Sequence, residues 1–73
     1  TDVGQRFRLR LIMTLHLTER GKEKPLLREE VYGEAYYTAG TEVEATRTAQ
    51  EEATFRAARD LAVQVVTRLL EGL

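Results

Sequence analysis

Few residues of this 73-residue chain could carry out catalysis. The chain has one histidine, His16, and neither cysteine nor serine, so a serine nucleophile, a cysteine nucleophile and a thiolate metal site are excluded. We interpret His16 as a solvent-facing strand residue, because it has no second imidazole with which to bind a metal. Glu51, Glu52 and Asp60 fall on a predicted helix, where we expect solvated charges. No glycine-rich phosphate-binding loop is present. The sequence therefore predicts a protein that is not an enzyme and uses no cofactor or metal.

One polar feature stands above this background, a row of arginines at alternate positions with tyrosines beside it. Guanidinium groups bind phosphate and carboxylate with two parallel hydrogen bonds, and tyrosine rings add flat amphipathic surface. We predict a face that binds an anionic ligand or partner, formed by Arg6, Arg8, Arg10, Arg28, Tyr32 and Tyr36. The alternative is a solvated sheet face on which Glu30 and Glu34 neutralise the arginines.

Composition limits the classes of protein to consider. Lys and Arg number 11 against 12 Asp and Glu, giving a net charge of −1, which argues against a nucleic-acid partner. No apolar run approaches the roughly 20 residues of a membrane-spanning helix. The length allows one small domain, over residues 1–73, or a fragment of one. Because the chain begins at Thr1 rather than at methionine, we expect it to be part of a larger protein.

Two alternating segments predict an antiparallel hairpin, with strands at about 5–18 and 26–38. On the first strand, side chains of one face are apolar from Phe7 to Leu17, while the arginines share the other face. The loop between the strands contains Gly21 and Pro25. Placing Leu17 opposite Leu27 gives a self-consistent register. Its further pairs are Met13 with Val31, Ile12 with Tyr32, Leu11 with Gly33, Arg10 with Glu34, Leu9 with Ala35, Arg8 with Tyr36 and Phe7 with Tyr37.

The last third of the chain predicts one amphipathic helix, at about 46–71, ending at Gly72. Thr41 with Glu44 and Thr48 with Glu51 both have the spacing of a helix-capping box. The expected sheet-facing stripe is Phe55, Ala58, Leu61, Ala62, Val65, Val66, Leu69 and Leu70. The small side chains of Gly33 and Ala35 should let this helix approach the sheet closely.

The predicted fold class is therefore α+β, with an antiparallel β-hairpin and a long C-terminal helix packed on one face. A two-stranded hairpin is marginal alone and leaves its outer edges open to pairing. We expect it either to form part of a larger two-layer α/β sandwich or to be completed by dimerisation.

Three segments together resemble the C-terminal half of the LPS-assembly lipoprotein (LptE) family of Gram-negative outer membranes. They are the alternating strand 7–17, the small and aromatic stretch 31–37, and the helix 45–70 with its Glu-Glu-Ala start and Leu-Ala-Val-Gln-Val-Val end. The resemblance implies a lipoprotein of the outer membrane, on its periplasmic side, although the lipid-bearing cysteine of that family is not in this chain. It also implies binding to the LPS-transport β-barrel (LptD) and contact with lipopolysaccharide, with the arginine row as a candidate contact.

The runner-up interpretation is an α+β interaction module that homodimerises through its sheet edge, without an envelope role. A third, weaker hypothesis is a nucleic-acid binder that uses Arg6, Arg8 and Arg10, against which the balanced charge counts.

Overall fold

The fold is α+β, an antiparallel two-stranded hairpin followed by one long helix that contacts the sheet. The computed structural model describes residues 4–72, so residues 1–3 and 73 of the predicted domain lie outside the described range. Strand β1 spans Gln5–Thr18, strand β2 spans Pro25–Ala39, and helix α1 spans Val43–Gly72. Both strands match their predicted bounds to within one residue. The helix begins three residues before the predicted start, so Thr48 lies inside it and does not cap it.

The predicted strand register is confirmed at every pair that was named, from Phe7 opposite Tyr37 to Leu17 opposite Leu27. A register shift follows, so that Thr18 pairs with Pro25. The connection contains a turn closed by the Lys22 N–H, which donates to the Glu19 carbonyl at 3.1 Å. Gly21 has φ of 86° at the third position of this turn, where a positive φ favours glycine.

The helix crosses the sheet at its closest approach over Gly33. A Cβ atom at this position would lie 2.8 Å from the Leu61 Cα and closer still to the Ala57 carbonyl oxygen and the Leu61 nitrogen. The predicted role of Gly33 in admitting the helix is therefore confirmed. Ala53 and Ala57 lie on the side of the helix that faces the sheet, where they are completely buried and pack with Ala35.

The face that the helix packs against the sheet overlaps the predicted stripe only in part. Ala53 and Ala57 are its buried residues, whereas Phe55 is 76% exposed and Leu70 is 74% exposed. Of the predicted stripe, Leu61, Val65 and Leu69 are half-buried, and the remaining members are exposed. The prediction followed the largest apolar side chains, but the close approach at Gly33 accommodates alanine instead. The helix is consequently apolar well outside the arc that touches the sheet.

The helix lies mainly over β2, and β1 is only partly covered. On the apolar face of β1, Leu9 and Leu11 are half-buried, but Phe7 remains 41% exposed and Met13 remains 44% exposed. Phe7 stacks on Tyr37 with ring centroids 5.6 Å apart, and the Gln50 side-chain amide donates to the Tyr37 hydroxyl at 3.1 Å. The helix therefore covers the apolar face of β2 more fully than that of β1.

The arginine and tyrosine face as a candidate functional site

The six candidate residues occupy even-numbered positions of the hairpin, on the face turned away from the helix. All six are exposed: Arg6, Arg8, Arg10, Arg28, Tyr32 and Tyr36. Strand alternation positions them, because the odd-numbered neighbours turn towards α1. Ile12, a large aliphatic residue on the same face, is 61% exposed.

Arg10 is the most constrained of the arginines. Its guanidinium donates two hydrogen bonds to the Glu34 carboxylate, one of them from Nε at 2.9 Å, and lies over the Tyr32 ring, 4.5 Å from its centroid. Arg8 approaches the same Glu34 oxygen at 4.0 Å, the outer limit of an ion pair. The Glu34 carboxylate thus lies within ion-pair distance of two guanidinium groups, and it forms hydrogen bonds with that of Arg10.

Arg6 differs from these two because it has no acidic partner among the described residues. Its guanidinium lies over the Tyr36 ring, 4.5 Å from the centroid, which leaves its N–H groups available at the edge of the sheet. Arg56 of the helix joins this end of the face by donating to the Tyr36 carbonyl oxygen at 2.9 Å. The structure therefore brings Arg6, Arg8, Arg10 and both tyrosines together.

Arg28 stands apart from this cluster. It lies opposite His16, six residues along β2 from Glu34, which corresponds to roughly 20 Å of extended strand. The predicted six-residue site is thus a cluster of five with one distant arginine. Across the face, four arginines stand against Glu30 and Glu34, so the face is cationic although the whole chain carries −1. Glu34 contacts Arg8 and Arg10, as the alternative interpretation expects, whereas no described acidic residue pairs with Arg6 or Arg28.

Asp60, which the sequence analysis interpreted as a solvated charge, instead reaches the sheet, and so does Arg56. The Asp60 carboxylate accepts a hydrogen bond from the Glu34 backbone N–H at 2.9 Å and is half-buried, which corrects its interpretation as a solvated charge. With Arg56 on the Tyr36 carbonyl, Asp60 satisfies backbone groups that point away from β1. Their spacing of four residues places both on one side of the helix, but only the helix orientation reveals that this side meets the edge of β2.

The face combines exposed guanidinium groups with tyrosine rings on the open side of the hairpin. Within residues 4–72, no cluster of histidine, cysteine, aspartate or glutamate could hold a metal ion. In the same part of the chain, no helix has the length and apolarity needed to cross a membrane. Open cationic surface next to tyrosine rings suits phosphate or carboxylate groups.

Comparison of this chain with family models, curated proteins and solved structures finds no match.

Proposed function

We propose that this chain is a non-enzymatic binding component of envelope assembly, with the arginine and tyrosine face contacting lipopolysaccharide. The observation that carries the proposal is the surplus of arginines on that face, with Arg6 lacking an acidic partner among the described residues. Lipopolysaccharide presents closely spaced phosphates, the groups that arginine binds best. The resemblance to the LPS-assembly lipoprotein family supplies the envelope context and the outer-membrane location.

A partner of the LPS-transport β-barrel (LptD) class is part of the same proposal. The chain leaves apolar side chains exposed on β1 and on the outer side of the helix, including Met13, Phe55 and Val66. Exposed apolar surface of this extent is typical of proteins that bind a partner. Co-expression with a barrel of this class should give a stable complex, and separation of the two during purification would count against this part of the proposal.

The lipopolysaccharide contact is tested by binding to lipid A vesicles. Replacing Arg6 and Arg8 with alanine should weaken binding by about 1 kcal/mol each, or about thirtyfold together, because each guanidinium near an anionic surface contributes about that much. Added salt should weaken the binding of the unaltered chain. The matched control is the double variant Arg20→Ala/Arg59→Ala, which removes the same charge from exposed positions off this face.

Equal losses in both double variants would mean that net charge alone attracts the chain, and no loss in either would make the arginine row structural. Binding to neutral phosphatidylcholine vesicles at the same level would also contradict a phosphate contact.

The second candidate function is the homodimerising interaction module. The specific observation that favours it is the uncovered edge and face of β1.

A further inference from the structure

The two outer edges of the hairpin differ in how their backbone groups are satisfied. The Glu34 N–H points away from β1, towards Asp60, so Arg10 and Glu34 form a non-hydrogen-bonded pair of the ladder. Even-numbered residues of both strands therefore direct their backbone N–H and C=O groups outward. On β2 the helix supplies partners through Asp60 and Arg56. On β1, no described residue supplies a partner to the outward groups between Arg6 and His16.

The uncovered apolar surface lies on this same β1 side. Counting 100° per residue from Ala57, which meets Gly33, places Arg56 and Asp60 on the side of the helix above the β2 edge. The opposite side, above β1, then holds Leu61 and Val65. This apolar seam of the helix is Ala58, Leu61, Ala62, Val65 and Leu69. Together with Phe7 and Met13 it forms a trough open towards the β1 edge.

The amount of exposed surface exceeds what a compact monomer of this size presents. The chain exposes 6041 Å², whereas a compact 8.3 kDa protein exposes about 4,600 Å². Its radius of gyration is 17.0 Å, against about 11 Å for a compact domain of 73 residues. The excess of about 1,400 Å² is larger than the roughly 800 Å² that each partner buries in a standard interface.

The charge pattern of β1 makes a second copy of this chain a suitable occupant. With Ile12 opposite Ile12 of the second copy, the antiparallel pairing sets no arginine against another arginine or a lysine. Arg10 lies against Thr14, Arg8 against His16 and Arg6 against Thr18. On the apolar face it pairs Leu11 with Met13, Leu9 with Leu15 and Phe7 with Leu17. A pairing centred on Arg10 instead of Ile12 would place the Arg10 side chains of the two copies directly opposite each other, which is destabilising. A pairing centred on Thr14 would leave Phe7 beyond the end of the facing strand.

We propose that two copies of this chain pair antiparallel through their β1 edges, centred on Ile12, to form a four-stranded sheet in the order β2-β1-β1-β2. Both helices then lie on one face and close the trough with their apolar seams. Both arginine rows lie on the other face and form one continuous cationic surface. This inference deepens the second candidate function, the homodimerising module. It does not depend on lipopolysaccharide binding, because its tests contain no anionic ligand.

The first test is the molar mass of the 73-residue chain by sedimentation, with two proline variants. The expected mass is twice 8.3 kDa. Ile12→Pro removes an outward N–H without touching the β1–β2 ladder and should weaken dimerisation by at least about tenfold. The matched control, Glu30→Pro, removes an outward N–H from β2 and should remain dimeric. A monomeric unaltered chain, or equal effects of the two prolines, overturns the proposal.

The second test fixes the register and serves if a proline variant fails to fold. Ile12→Cys introduces the only thiol, on the exposed face, at a pair whose Cα atoms would lie about 5.5 Å apart, within disulfide range. Mild oxidation should link two copies covalently. Tyr32→Cys is the control, since three strand spacings of about 4.8 Å would separate its thiols. Absence of the link at Ile12, or equal linking in both variants, overturns the proposed register.

Discussion

At the residue scale, a few small or polar side chains decide how the helix meets the sheet. Gly33 removes the atom that would keep the helix away, and Asp60 and Arg56 hold its side against the β2 backbone. The role of Gly33 followed from sequence because its register position could be counted. The roles of Asp60 and Arg56 could not, because a charged residue at a polar helix position looks the same whether it meets water or a strand edge.

Substitution at Gly33 should be the most damaging small change in the chain. In Gly33→Ala the added Cβ would collide with backbone atoms of Ala57 and Leu61, which can move only with the whole helix, so we expect a loss of about 1–3 kcal/mol. Urea unfolding at matched protein concentration measures it. Gly40→Ala is the control, because nothing lies within 4 Å of its Cβ position and its φ is not positive. Equal unfolding midpoints would refute the close approach.

At the element scale, the alternation of apolar and polar residues predicted both strands. It also predicted their pairing, because the register has to place the apolar side chains of both strands on the same face of the hairpin. The helix was predicted as an element but not in its orientation. Its large apolar residues span a wide arc, and the buried line runs instead through Ala53 and Ala57 at the edge of that arc. Side-chain size misleads where backbones approach closely, since only small residues fit there.

Two helix substitutions distinguish the observed orientation from the predicted one. Phe55→Ala should change the free energy of unfolding by no more than about 0.5 kcal/mol, because Phe55 is 76% exposed. Leu61→Ala should cost more, about 1 kcal/mol or above, because the Leu61 side chain is half-buried on the side of the helix that meets the sheet. Thermal or urea unfolding compares the two at equal concentration. Both residues belong to the sequence-based stripe, so a loss at Phe55 as large as the loss at Leu61 would support that stripe against the observed orientation.

At the scale of the whole molecule, the chain is elongated, about 60 × 18 × 13 Å, and one-sided in its packing. The helix satisfies two outward backbone groups of β2, the Glu34 N–H and the Tyr36 carbonyl, and leaves β1 with an open edge and a half-covered apolar face. The candidate face was located from sequence because arginines at alternate positions must share a face. Its division into an Arg6–Arg10 cluster and a distant Arg28 depends on strand length, and the difference between the two edges depends on the helix orientation.

Residue-resolved amide hydrogen exchange tests the contrast between these edges most directly. On β2, the Glu34 amide should exchange slowly because it donates to Asp60, while the outward amide of Tyr32 exchanges fast. On β1, the outward amides of Arg10 and Thr14 should exchange more slowly as the protein concentration rises, because the β1 edges of two copies then pair. Equal protection of Glu34 and Tyr32 would contradict the hydrogen bond by which Asp60 holds the β2 edge. Arg10 and Thr14 amides that exchange fast at every concentration would contradict a β1 edge that pairs with a second copy.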